Sequence, residues 1–101
     1  MLEREIERNL REKVTRAGGL CLKFVSPGWA GAPDRLCLFP DGKMAFVELK
    51  RPGAKPRPLQ SARHRQLRKL GFSVYVVDRP EQIQDLMGDI AKDGGGGLAK
   101  T

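Results

Sequence analysis

The chain has 101 residues, 40% of them hydrophobic, which is enough for one modest core and too little for two domains. Its 19 Lys and Arg exceed its 12 Asp and Glu, and the formal net charge of +7 fits a polyanionic partner such as nucleic acid, although ribosome-associated and membrane-surface proteins share this balance. Two cysteines are too few for a zinc cluster, which argues against a zinc domain. No 18-residue apolar run or signal segment is present, which argues against a membrane protein. The composition therefore favours a cytoplasmic protein with reduced cysteines.

An amphipathic helix is predicted over residues 2–16, and Gly18-Gly19 is expected to end it. Its apolar positions are spaced four residues apart: Leu2, Ile6, Leu10 and Val14. Glu3 and Glu7 are also four apart and therefore lie on one side of the helix, either as part of a site or as ordinary solvated surface.

A first strand is predicted over residues 20–25, followed by a loop of Pro, Gly and small residues around Trp29. Trp29 is expected to be a packing anchor rather than a side chain that stacks on a base. Cys21 and Cys37 lie in apolar strand segments and are expected to be buried free thiols rather than a disulfide.

Arg35 to Phe39 and Lys43 to Val47 are predicted to form a hairpin around Pro40-Asp41-Gly42. A two-residue loop would point Asp34 and Glu48 to opposite faces of the sheet, because side chains alternate with period 2. A three-residue loop with its glycine in the left-handed conformation pairs Asp34 with Glu48 on one face, and this register is favoured. The second strand is apolar on both faces, which predicts a central strand covered on both sides in a mixed α/β sheet.

Two carboxylates and a lysine are expected to meet at the end of this hairpin, because Glu48 and Lys50 share a face and Asp34 lies opposite Glu48. Neighbouring carboxylates repel unless a cation lies between them, and oxygen ligands of this kind suit Mg²⁺ or Mn²⁺. A lysine beside the ion would orient the attacking water or offset charge on a phosphate. The alternative is a surface hairpin that carries ordinary charges.

A proline-rich connection over residues 51–58 leads into a helix that is predicted to end at Gly71. Gln60 and His64 are placed on the polar face of this helix. Its expected buried stripe consists of Leu59, Ala62, Leu67 and Leu70.

No acidic residue occurs between Glu48 and Asp78, so the basic residues of this stretch form a one-sided positive run. Such a run favours contacts with nucleic-acid phosphates over an ordinary solvated face. His64 is interpreted as a phosphate-binding or packing residue rather than a general base. The predicted nucleic-acid-binding residues are Arg51, Lys55, Arg57, Arg63, His64, Arg65, Arg68 and Lys69.

A short strand is predicted over residues 73–77, and a last helix follows from Pro80 with an apolar stripe that ends near Ile90. Residues 93–101 are glycine-rich and are expected to be a flexible tail behind a single domain at residues 1–92. The predicted order is therefore helix, three strands, helix, strand, helix.

Pro33-Asp34 and, after the short hairpin, Glu48-Leu49-Lys50 resemble the PD-(D/E)XK nuclease signature. The segments that flank this signature make the resemblance more specific. They are an acidic N-terminal helix, Gly18-Gly19, residues 24–28 followed by Gly31-Ala32-Pro33-Asp34-Arg35, then Glu48-Leu49-Lys50-Arg51-Pro52-Gly53 and Leu59-Gln60. The succession covers about residues 1–87 and is similar to the short stand-alone form of the VRR-NUC family, the virus-type replication-repair nucleases.

The resemblance implies a restriction-endonuclease-like core of order α-β-β-β-α-β around a mixed sheet, in agreement with the order obtained from periodicity. It also implies an acid from the first helix in the metal site, for which Glu3 and Glu7 fit equally well, and a supporting role for Gln60. The resemblance further implies that this chain forms a homodimer similar to Holliday-junction resolvases and that it is encoded by a phage or prophage, so a bacterial host cytoplasm is expected.

The expected function is Mg²⁺- or Mn²⁺-dependent hydrolysis of DNA phosphodiester bonds. No element reads base edges, so the substrate is expected to be chosen by its shape, and the resemblance implies a preference for branched, Holliday-junction-like DNA. Organic cofactors and membrane partners are not expected. Alternatives are a non-catalytic nucleic-acid-binding module and a site-specific restriction-type endonuclease. The expected catalytic residues are Asp34, Glu48, Lys50 and Gln60, and the expected metal ligands are Asp34, Glu48, the Leu49 backbone carbonyl and either Glu3 or Glu7.

Overall fold

The computed structural model describes residues 1–93, which form a four-stranded sheet and three helices. The helices are α1 (Glu3–Arg16), α2 (Pro58–Lys69) and α3 (Pro80–Asp93), and the strands are β1 (Leu20–Lys23), β2 (Arg35–Leu38), β3 (Met44–Leu49) and β4 (Val74–Val77). The predicted α/β class and element order are confirmed. Of the predicted glycine-rich tail, only Asp93, the last residue of α3, is among the described residues. None of the helices in residues 1–93 has the length and apolar character needed to cross a membrane.

The sheet has the order β1-β2-β3-β4, with β3 in a central position. β2 pairs antiparallel with β1 and β3, whereas β3 and β4 are parallel and are connected through α2. One face of the sheet packs against α1 and α3, through a core that includes Leu10, Val47 and Leu86. The other face packs against α2, through Phe46, Leu67 and Val74. The sheet is therefore mixed, and β3 is covered on both faces, as its apolar pattern predicted.

The hairpin register agrees with the three-residue loop favoured from the sequence. Arg35 lies opposite Val47, and the backbone N–H of Phe39 donates to the carbonyl of Lys43 over 2.8 Å, which leaves residues 40–42 as the loop. Gly42 has a φ of 75° and Asp41 a φ of 69°, both in the left-handed region that Gly and Asp tolerate better than other residues. This register decides which side chains meet at the far end of the hairpin.

The predicted buried stripe of α2 is partly wrong. Leu59 and Leu70 are 47% and 74% exposed, whereas Gln60 and His64, placed on the polar face from the sequence, are buried together with Leu67. The reason is that the first two turns of α2 face a polar side chain of β3, so an amide and an imidazole are buried there by pairing rather than by hydrophobic packing.

Trp29 acts as a packing anchor, as expected. It is half-buried against the cluster formed by Phe46, Leu67 and Val74, and the Arg63 guanidinium lies 4.8 Å from the centre of its ring. A cation at this distance over an indole is held by the quadrupole of the ring. The loop around Trp29 is thereby attached to α2.

Cys21 and Cys37 are free thiols that lie directly opposite one another on β1 and β2. Their sulfur atoms are 3.8 Å apart, and Cys37 is buried while Cys21 is half-buried. The expectation of free thiols is confirmed, although only one of the two is fully buried.

Candidate active site

Asp34 and Glu48 meet at one end of the sheet. Arg35 opposes Val47, so the same register places Asp34 opposite Glu48, and the alternation of side chains turns both toward the α2 face. The backbone N–H of Leu49 donates to Asp34 Oδ2 over 2.8 Å, which fixes Asp34 against β3. In an extended strand the N–H and C=O of one residue point to the same side, so the Leu49 carbonyl also faces the Asp34 side of β3.

Glu48 is almost completely enclosed, with 1% of its surface exposed. Its Oε2 accepts a hydrogen bond from Gln60 Nε2 over 3.0 Å and lies 3.7 Å from Lys50 Nζ. Its Oε1 lies 3.3 Å from His64 Nε2. Both oxygens of the carboxylate therefore have a partner on α2.

Gln60 connects three parts of the site. Its Oε1 accepts hydrogen bonds from Lys50 Nζ over 3.0 Å and from the backbone N–H of Arg57 over 2.8 Å, while its Nε2 donates to Glu48. The Arg57 contact is the usual way in which a Gln at the third helical position closes the start of a helix. Arg57 directly precedes α2, which begins at Pro58. The Gln60 side-chain amide therefore stabilises the start of the helix and also contacts Lys50 and Glu48 of the site.

The electrostatics of the site favour a bound cation. The pKa of Glu48 is raised from 4.5 to about 8, first by burial and second by the neighbouring Asp34 carboxylate, while Lys50 opposes the increase. The pKa of His64 is lowered by burial and by Arg68, which keeps its imidazole neutral at physiological pH. A buried carboxylate that resists ionisation beside a second carboxylate is the arrangement that a divalent cation relieves.

The acids of α1 lie at the rim of the site rather than inside it. Glu3 and Glu7 line a cavity of about 210 Å³ together with Asp34 and Leu49, but Glu7 forms an ion pair with Arg35. Among residues 1–93, no three His, Cys, Asp or Glu side chains are grouped closely enough to hold a metal ion by themselves. The structure thus brings together Asp34 and Glu48, which are two of the three expected acids. The third acid was expected from α1, and both candidates, Glu3 and Glu7, line the cavity that Asp34 also lines.

The donors that are present suit a hard divalent ion. Mg²⁺ is usually held by one or two carboxylates while water and substrate phosphate oxygens complete its shell, so a full cage of protein ligands is not required. Asp34, Glu48 and the Leu49 carbonyl supply oxygen donors only, and the His64 imidazole beside them is already paired with Glu48. The residues at this end of the sheet therefore fit Mg²⁺ or Mn²⁺.

The predicted nucleic-acid-binding residues divide into three groups. Arg63 and Arg68 are held by the protein itself, because they donate to the carbonyls of Ala30 over 2.8 Å and of Val74 over 2.7 Å. His64 is 2% exposed and its ring is buried against Glu48, which agrees with the packing alternative for this residue rather than with a contact to phosphate. The rest are exposed and form what we call the basic surface, which consists of Arg51, Lys55, Arg57, Arg65 and Lys69.

One residue and one contact near the site were not predicted from the sequence. Arg35 lines the cavity and holds Glu7, and its position directly after Pro33-Asp34 was the available signal. The contact of His64 with Glu48 was also missed, although its spacing of four residues from Gln60 places both on one side of a helix.

A mixed sheet flanked by helices, with Asp34 and a Glu48-Leu49-Lys50 segment at the ends of two adjacent strands, defines a nuclease of the PD-(D/E)XK class. No protein-family model matches the chain. A curated relative, "Putative nuclease p44" of Acyrthosiphon pisum secondary endosymbiont phage 1, is 50% identical over 76 residues, which cover 75% of this chain and 82% of the relative. A solved structure described as "VRR_NUC domain" is 36% identical and has a TM-score of 0.79, covering 85% of this chain and 94% of that one. The chain belongs to the VRR-NUC nuclease family.

Proposed function

We propose that this protein is a Mg²⁺- or Mn²⁺-dependent endonuclease that hydrolyses phosphodiester bonds in DNA. The observation that carries the proposal is the buried Glu48 carboxylate opposite Asp34, with Lys50 joined to it through Gln60. A carboxylate pair of this kind is costly to bury unless a cation occupies the space between the two groups. Membership of a nuclease family supports the same assignment.

Each residue of the site has a distinct role in this proposal. Asp34, Glu48 and the Leu49 carbonyl would hold the ion, and Glu3 or Glu7 would approach it from α1. A bound divalent ion supplies a water of lowered pKa and offsets negative charge on the phosphate. Lys50 orients the attacking water and stabilises charge that develops on the phosphate oxygens. Gln60 keeps the Lys50 ammonium beside Glu48 by accepting its hydrogen bond.

We propose that the basic surface grips the phosphates that flank the cleaved bond. Its members are exposed, lie on α2 or on the connection before it, and begin directly after Lys50. Arginine and lysine contacts of this kind are independent of sequence, so the substrate is selected by shape, with branched DNA as the expected preference. The proposed setting is the cytoplasm of a bacterial host that carries a phage or prophage.

A homodimer is the proposed assembly. Leu20 and Leu22 on β1 are 58% and 41% exposed, although they point to the same face of the sheet as the buried Phe46. Because α2 packs on β3 and β4, this apolar side of the edge strand is left for a second copy of the chain. Two sites related by a two-fold axis would cut two strands symmetrically.

The test is cleavage of a four-way junction, a nicked duplex and a plain duplex with Mg²⁺, Mn²⁺ or EDTA. Wild type should cut only with the divalent ion and should prefer the branched substrate. Asp34→Asn and Lys50→Ala should lose cleavage by at least about 100-fold, because charge stabilisation of this kind contributes about 10²–10³ or more to the rate. The matched controls are Asp41→Asn and Lys43→Ala, which change the loop end of the same hairpin and should cut normally.

Two results would decide against this function. Salt-dependent DNA binding without cleavage under any metal condition would indicate a non-catalytic nucleic-acid-binding module. A single recurrent sequence at the cleavage ends would indicate a site-specific restriction-type endonuclease instead.

A further inference from the structure

His64 is the one histidine of the chain, and it lies beneath α2 rather than on its surface. It is 2% exposed and follows Gln60 by one helical turn. Its Nε2 lies 3.3 Å from Glu48 Oε1, while Gln60 Nε2 donates to the other oxygen, Glu48 Oε2, over 3.0 Å. Two side chains of one helix thus grip the two oxygens of one carboxylate.

We propose that His64 is a positioning residue that, together with Gln60, holds the Glu48 carboxylate in the orientation that binds the divalent ion. The inference rests on the proposed function, because Glu48 is a metal ligand only if the site binds metal. In this inference His64 supports a metal ligand, and it neither contacts DNA nor transfers a proton.

The chemistry of the two groups defines what His64 must do. A carboxylate that binds a cation is ionised and can only accept hydrogen bonds, so the imidazole must present its Nε2–H to Oε1. Each carboxylate oxygen can accept about two hydrogen bonds or metal contacts. One donor from α2 on each oxygen therefore leaves one acceptor direction on each oxygen for the ion, because Lys50 Nζ, 3.7 Å from Oε2, is too distant to donate a hydrogen bond to it.

The burial of His64 also argues against a role confined to packing. A polar ring that is 2% exposed needs a hydrogen-bond partner, and Glu48 is the one with which it is paired in residues 1–93. Side chains that orient a metal ligand in this way typically change metal affinity or activity by about 10–100-fold when they are removed. An apolar residue of similar volume would fill the space and leave Glu48 Oε1 without its donor.

The experiment measures Mn²⁺ binding to the full chain by calorimetry in the absence of DNA, together with thermal unfolding and cleavage rates. His64→Leu should weaken Mn²⁺ binding by about 10–100-fold. His64→Gln places an amide N–H near the position of Nε2 and should retain affinity within about threefold of wild type, whereas the shorter His64→Asn should behave like His64→Leu. The cleavage defect of His64→Leu should be recovered at high Mn²⁺ concentration, while its KM for DNA stays unchanged.

Leu67→Ala is the matched control, because Leu67 is buried on the same helix and packs against Phe46 and Val74. It should lower the unfolding temperature and leave Mn²⁺ affinity unchanged. If His64→Leu fails to fold, the comparison of His64→Gln with His64→Asn decides. Equal Mn²⁺ affinity in wild type and in every folded His64 variant would overturn the inference, whereas a wild type that neither binds Mn²⁺ nor cuts DNA would overturn the proposed function itself.

Discussion

Replacing Glu48 by Gln should stabilise the metal-free protein at alkaline pH while abolishing cleavage. Glu48 is 1% exposed, and its pKa is raised from 4.5 to about 8 by burial and by the Asp34 carboxylate. Below pH 4.5 the carboxyl is protonated in both the folded and the unfolded chain, so folding carries no penalty. Between pH 4.5 and about 8 the unfolded chain releases the proton that the folded chain retains, so the stability of the wild type falls as the pH rises.

The size of this effect follows from the same values. The pKa of Glu48 rises from 4.5 to about 8 on folding, and each unit of pKa corresponds to about 1.4 kcal/mol. By pH 9 the free energy of unfolding of the wild type is therefore lower by about 5 kcal/mol than it is at pH 4. Glutamine avoids the loss, but its NH₂ group must face Gln60 Nε2 or His64 Nε2, which costs about 1 kcal/mol of hydrogen bonding. Glu48→Gln should therefore be about 4 kcal/mol more stable than wild type at pH 9 and about 1 kcal/mol less stable at pH 4.

The assay is urea unfolding in EDTA between pH 4 and pH 9, followed by the fluorescence of Trp29, the single tryptophan. Added Mg²⁺ should stabilise the wild type at pH 9 and leave Glu48→Gln unchanged, because only the charged site binds the ion. Glu12→Gln changes an exposed acid of α1 and is the control for general charge effects. A difference in unfolding free energy between Glu48→Gln and wild type that stays constant from pH 4 to pH 9 would refute the reasoning.

Three further predictions concern the surroundings of the site. Gly31→Ala should destabilise the protein by about 1–3 kcal/mol in urea unfolding and should slow cleavage, because the φ of Gly31 is 86° and an added Cβ would lie 2.9 Å from Leu59 Cγ. The control is Gly28→Ala, where the added Cβ would lie in open space and should change neither stability nor cleavage. Arg65→Ala combined with Lys69→Ala should weaken DNA binding uniformly across sequences and reduce the slope of log affinity against log salt by about 2, and an unchanged slope would remove both residues from the basic surface. Leu20→Glu should convert the proposed homodimer to a monomer in sedimentation experiments, and a dimer that persists would place the interface elsewhere.

The hairpin and its register could be predicted because the number of residues in a short loop determines which residues of the two strands lie opposite one another. Once residues 40–42 were taken as the loop, the pairing of Asp34 with Glu48 followed from the alternation of side chains. The order of the elements was equally accessible from hydrophobic periodicity. These features depend on residues that are near one another in the sequence.

The inner side of α2 could not be predicted in the same way. Periodicity favoured Leu59 and Leu70 for the core, and nothing local indicated that a carboxylate from β3 would draw Gln60 and His64 inward instead. The Glu7–Arg35 ion pair was hidden for the same reason, since its partners come from different elements. Burial of polar residues depends on partners that only the tertiary fold supplies.

The hydrogen bond from Leu49 N–H to Asp34 Oδ2 makes one side chain responsible for two tasks. It closes the ladder where β2 and β3 separate, and it sets the distance between Asp34 and its neighbour Glu48. An alanine at position 34 would fray the strand ends as well as remove a charge, so its phenotype would mix a folding defect with a chemical one. Asparagine preserves an acceptor for Leu49 N–H and removes only the charge. At position 34 the structural role of the side chain can therefore be tested separately from its role in metal binding by replacing one carboxylate oxygen with NH₂.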